Sequence, residues 1–216
     1  MNISYELNFS MKRFHDDINI QQLVGICLDN YHTTIFDDIV GVMNLPKEAA
    51  FDFLDELENR YMGTPKFQLF STYKSIFLNL FVNPQIKNLK GAFLEVLAFK
   101  ILKKYYNPHT TSTDCIICIN GWCSNLTVDI AMEYDSSALC CECKVPTSKF
   151  DWNIFKNLLD IKMQSQNFFD VYAITLDLKE RMDSKKQRIE NSVEESRGII
   201  DDVYCIARED LANFNI

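Results

Sequence analysis

Apolar residues recur at helical spacing from Asn19 to Tyr61. Phe36, Ile39, Val40 and Met43 share one face of a first segment, and Ala50, Phe53, Leu54 and Leu57 share one face of a second. Thr34 is placed to cap the first helix through about Val42, Met43-Asn44-Leu45 turns the chain, and Pro46 opens the second helix to about Arg60. A further apolar helix over about Phe67–Val82 is bracketed by Met62-Gly63-Thr64-Pro65 and Asn83-Pro84. Beyond it the pattern predicts a helix at Asn88–Tyr105, a short strand at Asp114–Ile119, and a strand pair at Leu126–Glu133 and Ala138–Val145. A helix at Trp152–Gln164, a strand at Asp170–Leu176, a charged helix near Ser184–Arg197 and a strand at Asp202–Ala207 follow. The order α-β-β-β-α-β-α-β predicts a mixed α/β fold, a mixed sheet flanked by helices. The breaker at Met62–Pro65 divides it from a small N-terminal helical subdomain, giving parts 1–62 and 63–216.

The strand pair LTVDIAMEYDSSALCCECKV carries the candidate chemistry. A symmetric loop at Tyr134-Asp135-Ser136-Ser137 pairs positions whose numbers sum to 271. Val128 then faces Cys143, Ile130 faces Cys141 and Met132 faces Leu139, an apolar face throughout. The other face sets Asp129 against Glu142, Ala131 against Cys140 and Thr127 against Lys144, because side chains alternate with a period of two. Two carboxylates are thus expected opposite one another, with Cβ atoms roughly 4.5–5.5 Å apart and Lys144 beside them. Facing like charges destabilise a sheet and raise a pKa unless a cation intervenes. A divalent metal meets that need, and Mg²⁺ takes carboxylates, waters and phosphate oxygens.

A third acid belongs with this pair. Glu95, in NLKGAFLEVLAFKILKK, has Gly91, Ala92, Ala98 and Phe99 as its helical neighbours, none of them basic. A half-buried acid among small and aromatic side chains needs a partner or a metal. From Lys87 to Lys104 there are five Lys and one acid, a basic stretch able to follow a phosphate backbone.

Charge separates the two parts further. The chain has 216 residues and a net charge of −8, and residues 1–62 hold 11 Asp/Glu against 4 Lys/Arg. The run TTIFDDIVGVMNLPKEAAFDFLDELENRY resembles the first helices of a winged helix-turn-helix. Its would-be recognition helix nevertheless exposes Glu48, Asp52, Asp55, Glu56 and Glu58, which repel phosphates, so this part is expected to pack on the core or bind a protein. An apolar composition of 47% with 6 Gly and 5 Pro excludes collagen, coiled coil and disorder. MNISYELNFSMKRF has no apolar signal-peptide core, and no stretch is long enough to span a bilayer, so a cytoplasmic protein with no membrane partner is expected. The 8 cysteines are expected to be free, buried thiols. Cys115-x-x-Cys118 with Cys123 invites zinc, but the pair brackets a strand rather than a tight turn. His15, His32 and His109 show no metal spacing, no Gly-rich phosphate loop is present, and Lys179–Arg197 reads as an exposed helix rather than a nucleic-acid arm.

Gly91-x-x-x-Glu95 on a helix, then Val128-Asp129, then Glu142-Cys143-Lys144, resembles the PD-(D/E)XK nuclease superfamily over about Asn88–Leu176. The element order is similar to that family's restriction-endonuclease-like αβββαβ core. The resemblance implies hydrolysis of phosphodiesters, most naturally in DNA, with Mg²⁺ or Mn²⁺. It casts Asp129 and Glu142 as metal ligands, the main-chain carbonyl of Cys143 as a further ligand, Glu95 as ligand or water-positioning group, and Lys144 as acting on the nucleophilic water. Val128 replaces the proline of the family's name. Restriction, defence or repair are the settings implied, with a homodimer as one assembly. The rival expectation is a non-catalytic module that binds protein or nucleic acid on the same fold.

Overall fold

A computed structural model describes residues 1–7 and 14–214. Residues 8–13, within the segment read above for a signal peptide, lie outside that description. The chain opens with strand β1 (Ile3–Leu7), then runs through five helices: α1 (Ile18–Asp29), α2 (Thr34–Asn44), α3 (Lys47–Tyr61), α4 (Phe67–Phe81) and α5 (Ile86–Tyr106). Strands β2 (Thr110–Ile119), β3 (Trp122–Cys123), β4 (Val128–Tyr134) and β5 (Ser137–Cys143) follow. Helix α6 (Trp152–Gln164), strand β6 (Phe169–Ile174), helix α7 (Lys179–Ser192), strand β7 (Tyr204–Ile206) and helix α8 (Arg208–Leu211) complete it.

The sheet runs β1-β2-β4-β5-β6-β7, with β3 paired to β2. Its β1, β2, β4 and β5 pairs are antiparallel and its β5–β6 and β6–β7 pairs parallel, so the expected mixed α/β architecture is what the protein has. One apolar core joins α1–α5 to the face carrying Ile130, Met132, Leu139 and Cys141. A second core packs α6 and α7 on the face carrying Ala131, Cys140, Val171 and Ala173. Among the described residues no helix is long and apolar enough to cross a membrane.

Local chemistry explains several boundaries. Asp17 caps α1 by accepting from the backbone N–H groups of Asn19 and Ile20, and Asp151 caps α6 by accepting from Ile154 N at 3.1 Å. Thr33, not Thr34, caps α2, because its Oγ1 reaches Ile35 N at 3.3 Å. Asn107, at φ 48°, closes α5 in the left-handed conformation that asparagine tolerates. Three expectations shift. The N-terminal part begins with a strand, β1, whose Tyr5 hydroxyl donates to Glu133 at 2.5 Å. Strand β2 starts four residues early, because its Thr-rich start pairs with β4. Helix α7 starts at Lys179 and ends at Ser192, its Met182 and Ile189, seven residues apart, seating it on the second core.

The thiols also differ from expectation. Cys118 and Cys123 are opposite one another across the Asn120-Gly121 turn and form a disulfide. Both turn residues have positive φ, 50° and 88°, as a type I′ hairpin requires. Two of the three thiols in the zinc reading are therefore bonded to each other. Cys27, Cys115, Cys140, Cys141 and Cys143 are buried thiols outside the disulfide, as expected, whereas Cys205 is half-buried.

One buried acid sets the geometry around the site. Asp177, just after β6, accepts from Thr147 N at 2.8 Å, Thr147 Oγ1 at 3.0 Å, Asn44 Nδ2 at 3.0 Å and Arg181 Nη1 at 3.1 Å. It ties the end of α2, the 3-10 turn at Thr147–Lys149 and the start of α7 into one junction. Burial works against the ionised carboxyl, but these donors more than offset it and hold its pKa below the usual aspartate value. Asp177→Ala leaves all four of these donors to find water and is expected to cost roughly 2–4 kcal/mol, read by chemical denaturation. Because the folded pKa is depressed, this contribution is present above the unfolded carboxyl pKa and lost as pH falls through the lower folded value. The stability gap between wild type and variant should narrow accordingly in acid. A gap independent of pH would mean that the carboxylate charge contributes nothing.

Candidate metal centre

The β4–β5 hairpin turns through Asp135-Ser136, with Asp135 at φ 45°. Its pairs are Ile130 with Cys141, Ala131 with Cys140 and Met132 with Leu139, the register expected from the alternation. Paired residues stop at Ile130 and Cys141. Beyond them the Asp129 Oδ2 accepts the backbone N–H of Cys143 at 2.6 Å, so a side chain replaces the next rung. Two expectations change at this open end. Val128 packs in the core of Cys115 and Ile117 rather than with Ile130 and Met132, so strict alternation is lost there. Asp129 and Glu142 are linked through Lys144, whose ammonium contacts Glu142 Oε1 directly and lies 3.7 Å from Asp129 Oδ2.

Glu95 reaches the same place from α5. Gly91, one turn earlier, adjoins it: a Cβ there would make ordinary van der Waals contact with Glu95 Oε1, at 3.6 Å. Its Oε2 meets His15 Nε2, a contact across 80 positions of sequence. One oxygen from each of Glu95, Asp114 and Asp129 lies within 4.8 Å of the other two. The sequence-predicted residues Glu95, Asp129, Glu142 and Lys144 are thus brought together, but the compact oxygen group contains Asp114 in place of Glu142. Asp114 falls between the pairs Thr113–Ile130 and Cys115–Val128, directly across from Asp129, with φ 49°. A left-handed residue inside a strand is uncommon, and aspartate is among the types that tolerate it. Its signal in the sequence was a lone acid among Thr, Cys and Ile, legible only once β2 is aligned with β4. His15 carried no signal beyond its type.

Electrostatics favour a cation here. The Asp129 and Glu142 side chains are each only 12% exposed. Burial first, then Glu142, pushes the Asp129 carboxyl well above the usual aspartate range. Burial also raises Glu142, with Lys144 opposing and Glu95 and Asp114 reinforcing. For Lys144 burial disfavours the ammonium, but Asp129 and Glu142 outweigh it and hold the pKa above that of a free lysine. The Glu95 contact raises His15 against the opposing effect of its burial. Four carboxylates with one lysine and one histidine leave negative charge in excess, which a divalent cation neutralises. The donors are all carboxylate oxygens, which suit a hard, oxygen-seeking metal ion rather than a thiolate-seeking one. Glu95, Asp114 and Asp129 can hold such an ion. Cys143 lines the cleft with its side chain buried and its N–H given to Asp129.

Glu95 and Lys144 line a cleft of about 480 Å³, walled by Phe14 and His15, by Asn44–Pro46, by α5 and by the segment after β5; Asp114, Asp129 and Glu142 sit behind that lining. Lys90 braces one wall, its ammonium donating to the Leu45 carbonyl and lying 4.9 Å from the Phe81 ring centre. Burial brings its pKa down to about 8.

The fold and site define a mixed α/β protein with a half-buried acidic group able to bind a metal. No protein-family model matches the sequence, and no curated protein matches it either. Among solved structures, the chain is similar to protein VC1899 from Vibrio cholerae, with a TM-score of 0.48 and 10% identity. The alignment covers 98% of this chain and 56% of that one, so the chain spans about half of that protein's length.

Proposed function

We propose that the chain is a metal-dependent nuclease of the PD-(D/E)XK type, acting on DNA. The observation that carries this reading is the meeting of Glu95, Asp129, Glu142 and Lys144, from a helix and a hairpin, at the edge of one cleft that Glu95 and Lys144 line. Asp114 adds a further carboxylate to the set. When bound, Mg²⁺ or Mn²⁺ supplies Lewis-acid stabilisation and a more acidic water.

The chain's own groups do the rest. Glu95, Asp114 and Asp129 would hold the ion, and His15 fixes the orientation of the Glu95 carboxylate. The Cys143 N–H does the same for Asp129. Glu142 positions the Lys144 ammonium, which its carboxylate neighbours keep protonated. As a cation, Lys144 donates to the attacking water or a phosphate oxygen and steadies the charge that builds at phosphorus. Water adds to phosphorus as the bond to the leaving sugar oxygen breaks. One proton leaves the water and one is taken up by the departing oxygen.

The test is incubation of the purified chain with linear, circular and single-stranded DNA, with Mg²⁺, with Mn²⁺ and with metal omitted. Cleavage that requires the metal is expected. Undiminished cutting in a chelator, or none with either ion on any substrate, would sink the reading.

A further inference from the structure

The cleft over the acids continues past Lys149. A second hollow of about 750 Å³ adjoins it, and the two share Asn44, Pro46 and Pro146 in their walls. Arg181, Lys185 and Arg188 line the second hollow from α7. Spaced four and then three residues apart, they stand on one face of that helix. The chain as a whole has a net charge of −8, yet the linings of these two hollows carry seven Lys/Arg against three Asp/Glu. Of the three acids, Asp177 is already engaged by its own donors. Among the described residues, Lys87, Lys149, Lys185 and Arg188 have no carboxylate at ion-pair distance. A row of unpaired cations in an acidic protein is a site for a polyanion. At its far end Phe14 adds an aromatic side chain to the lining.

We propose that this continuous groove holds a single strand of nucleic acid, whose phosphates follow α7 and Lys149 to the carboxylates. The destination of the strand rests on the nuclease reading; its binding does not. Three observations favour a single strand over a duplex. The hollows have the volume of small-ligand clefts, roughly 300–1,000 Å³. They are walled by the α2–α3 connection and the Thr147–Lys149 turn, and a duplex, stiff over about 150 base pairs, does not bend into such a recess. A cationic groove with an aromatic face is the usual composition of single-strand sites. From Arg181 to Arg188 the helix rises about 10 Å. At about 3.4 Å per phosphate, the spacing of one strand stacked as in a duplex, that face meets at most about three phosphates, and fewer where the strand is extended.

The test is fluorescence anisotropy of the full chain with a labelled 20-nucleotide single strand in EDTA, titrated with salt, beside a duplex of the same length. Lys185→Gln/Arg188→Gln is compared with Lys179→Gln/Lys186→Gln, which removes equal charge from the same helix on residues lining a different hollow. The single strand is expected to bind more tightly than the duplex. The groove pair should lower the slope of log K against log salt by about 1.4, at about 0.7 per phosphate contact, with affinity down about tenfold. The control pair should leave the slope near that of wild type. Equal losses from both pairs, an unchanged slope in the groove pair, or tighter duplex binding would overturn the groove. If wild type binds in this way but cuts nothing with Mn²⁺, the groove stands and the nuclease reading falls. If it cuts, yet the groove pair binds as wild type does, the reverse holds.

Discussion

Lys144→Ala reduces DNA cleavage by about 10²–10³-fold and Asp129→Ala by about 10³-fold or more, with the fold retained. Asp129 is the one acid that joins every part of the site. It belongs to the compact oxygen group with Glu95 and Asp114, lies 3.7 Å from the Lys144 ammonium and accepts the Cys143 N–H. Its loss removes a charge from the metal's surroundings and frees the end of the hairpin together. Among the described residues Lys144 is the only cation in contact with both hairpin acids, so none of them replaces its charge at the phosphate. Removing one preorganised electrostatic group of this kind costs about 10²–10³ in rate, and losing a metal ligand costs more. Asp129→Asn separates the two roles of this residue, because its amide oxygen can still accept from Cys143 N while the charge is gone. It should be as inactive as the alanine variant and better folded. Cleavage within tenfold of wild type by Asp129→Asn or Lys144→Ala would remove the mechanism.

Adding Mn²⁺ or Mg²⁺ raises the melting temperature of wild type and not that of Asp129→Asn. At a hundredfold excess over its dissociation constant, a ligand that binds only the folded state contributes about 2.7 kcal/mol. In a chain of this size that is roughly 5–10 °C. Without metal the order reverses. Burial, with repulsion from neighbouring carboxylates, raises the folded pKa of Asp129 and Glu142, so their ionisation opposes folding. That penalty is absent below the unfolded carboxyl pKa of about 4 and grows as pH climbs through the raised folded values. The metal-free Asp129→Asn protein should therefore melt higher than metal-free wild type at pH 8, the difference shrinking towards pH 4. The metal-induced shift of wild type should be larger at pH 8 than at pH 5, since protons compete for the same oxygens. Scanning calorimetry with and without chelator reads all of these. A variant that gains as much from Mn²⁺ as wild type would place the ion elsewhere.

Alternation, turn position and helical spacing are local properties, and they determined much of this protein in one dimension. They set the order of the elements, the β4–β5 register about Asp135-Ser136, and the placing of Asp129, Glu142 and Lys144 at one end of a hairpin. They also marked Glu95 as an acid with no basic neighbour on its helix. Tertiary structure decided the rest, because local periodicity says which side of an element is apolar but not which distant element covers it. Asp114 joins Asp129 only through the pairing of β2 with β4 and a left-handed backbone inside a strand. His15 meets Glu95 only because the chain returns over α5. The Cys118–Cys123 bond depended on a two-residue strand too short to show a period. The basic face of α7 read as a solvated surface until packing set it beside the cleft. Each of these needed two segments far apart in sequence to be brought within a few ångströms, and burial of the shared apolar core is what brings them there.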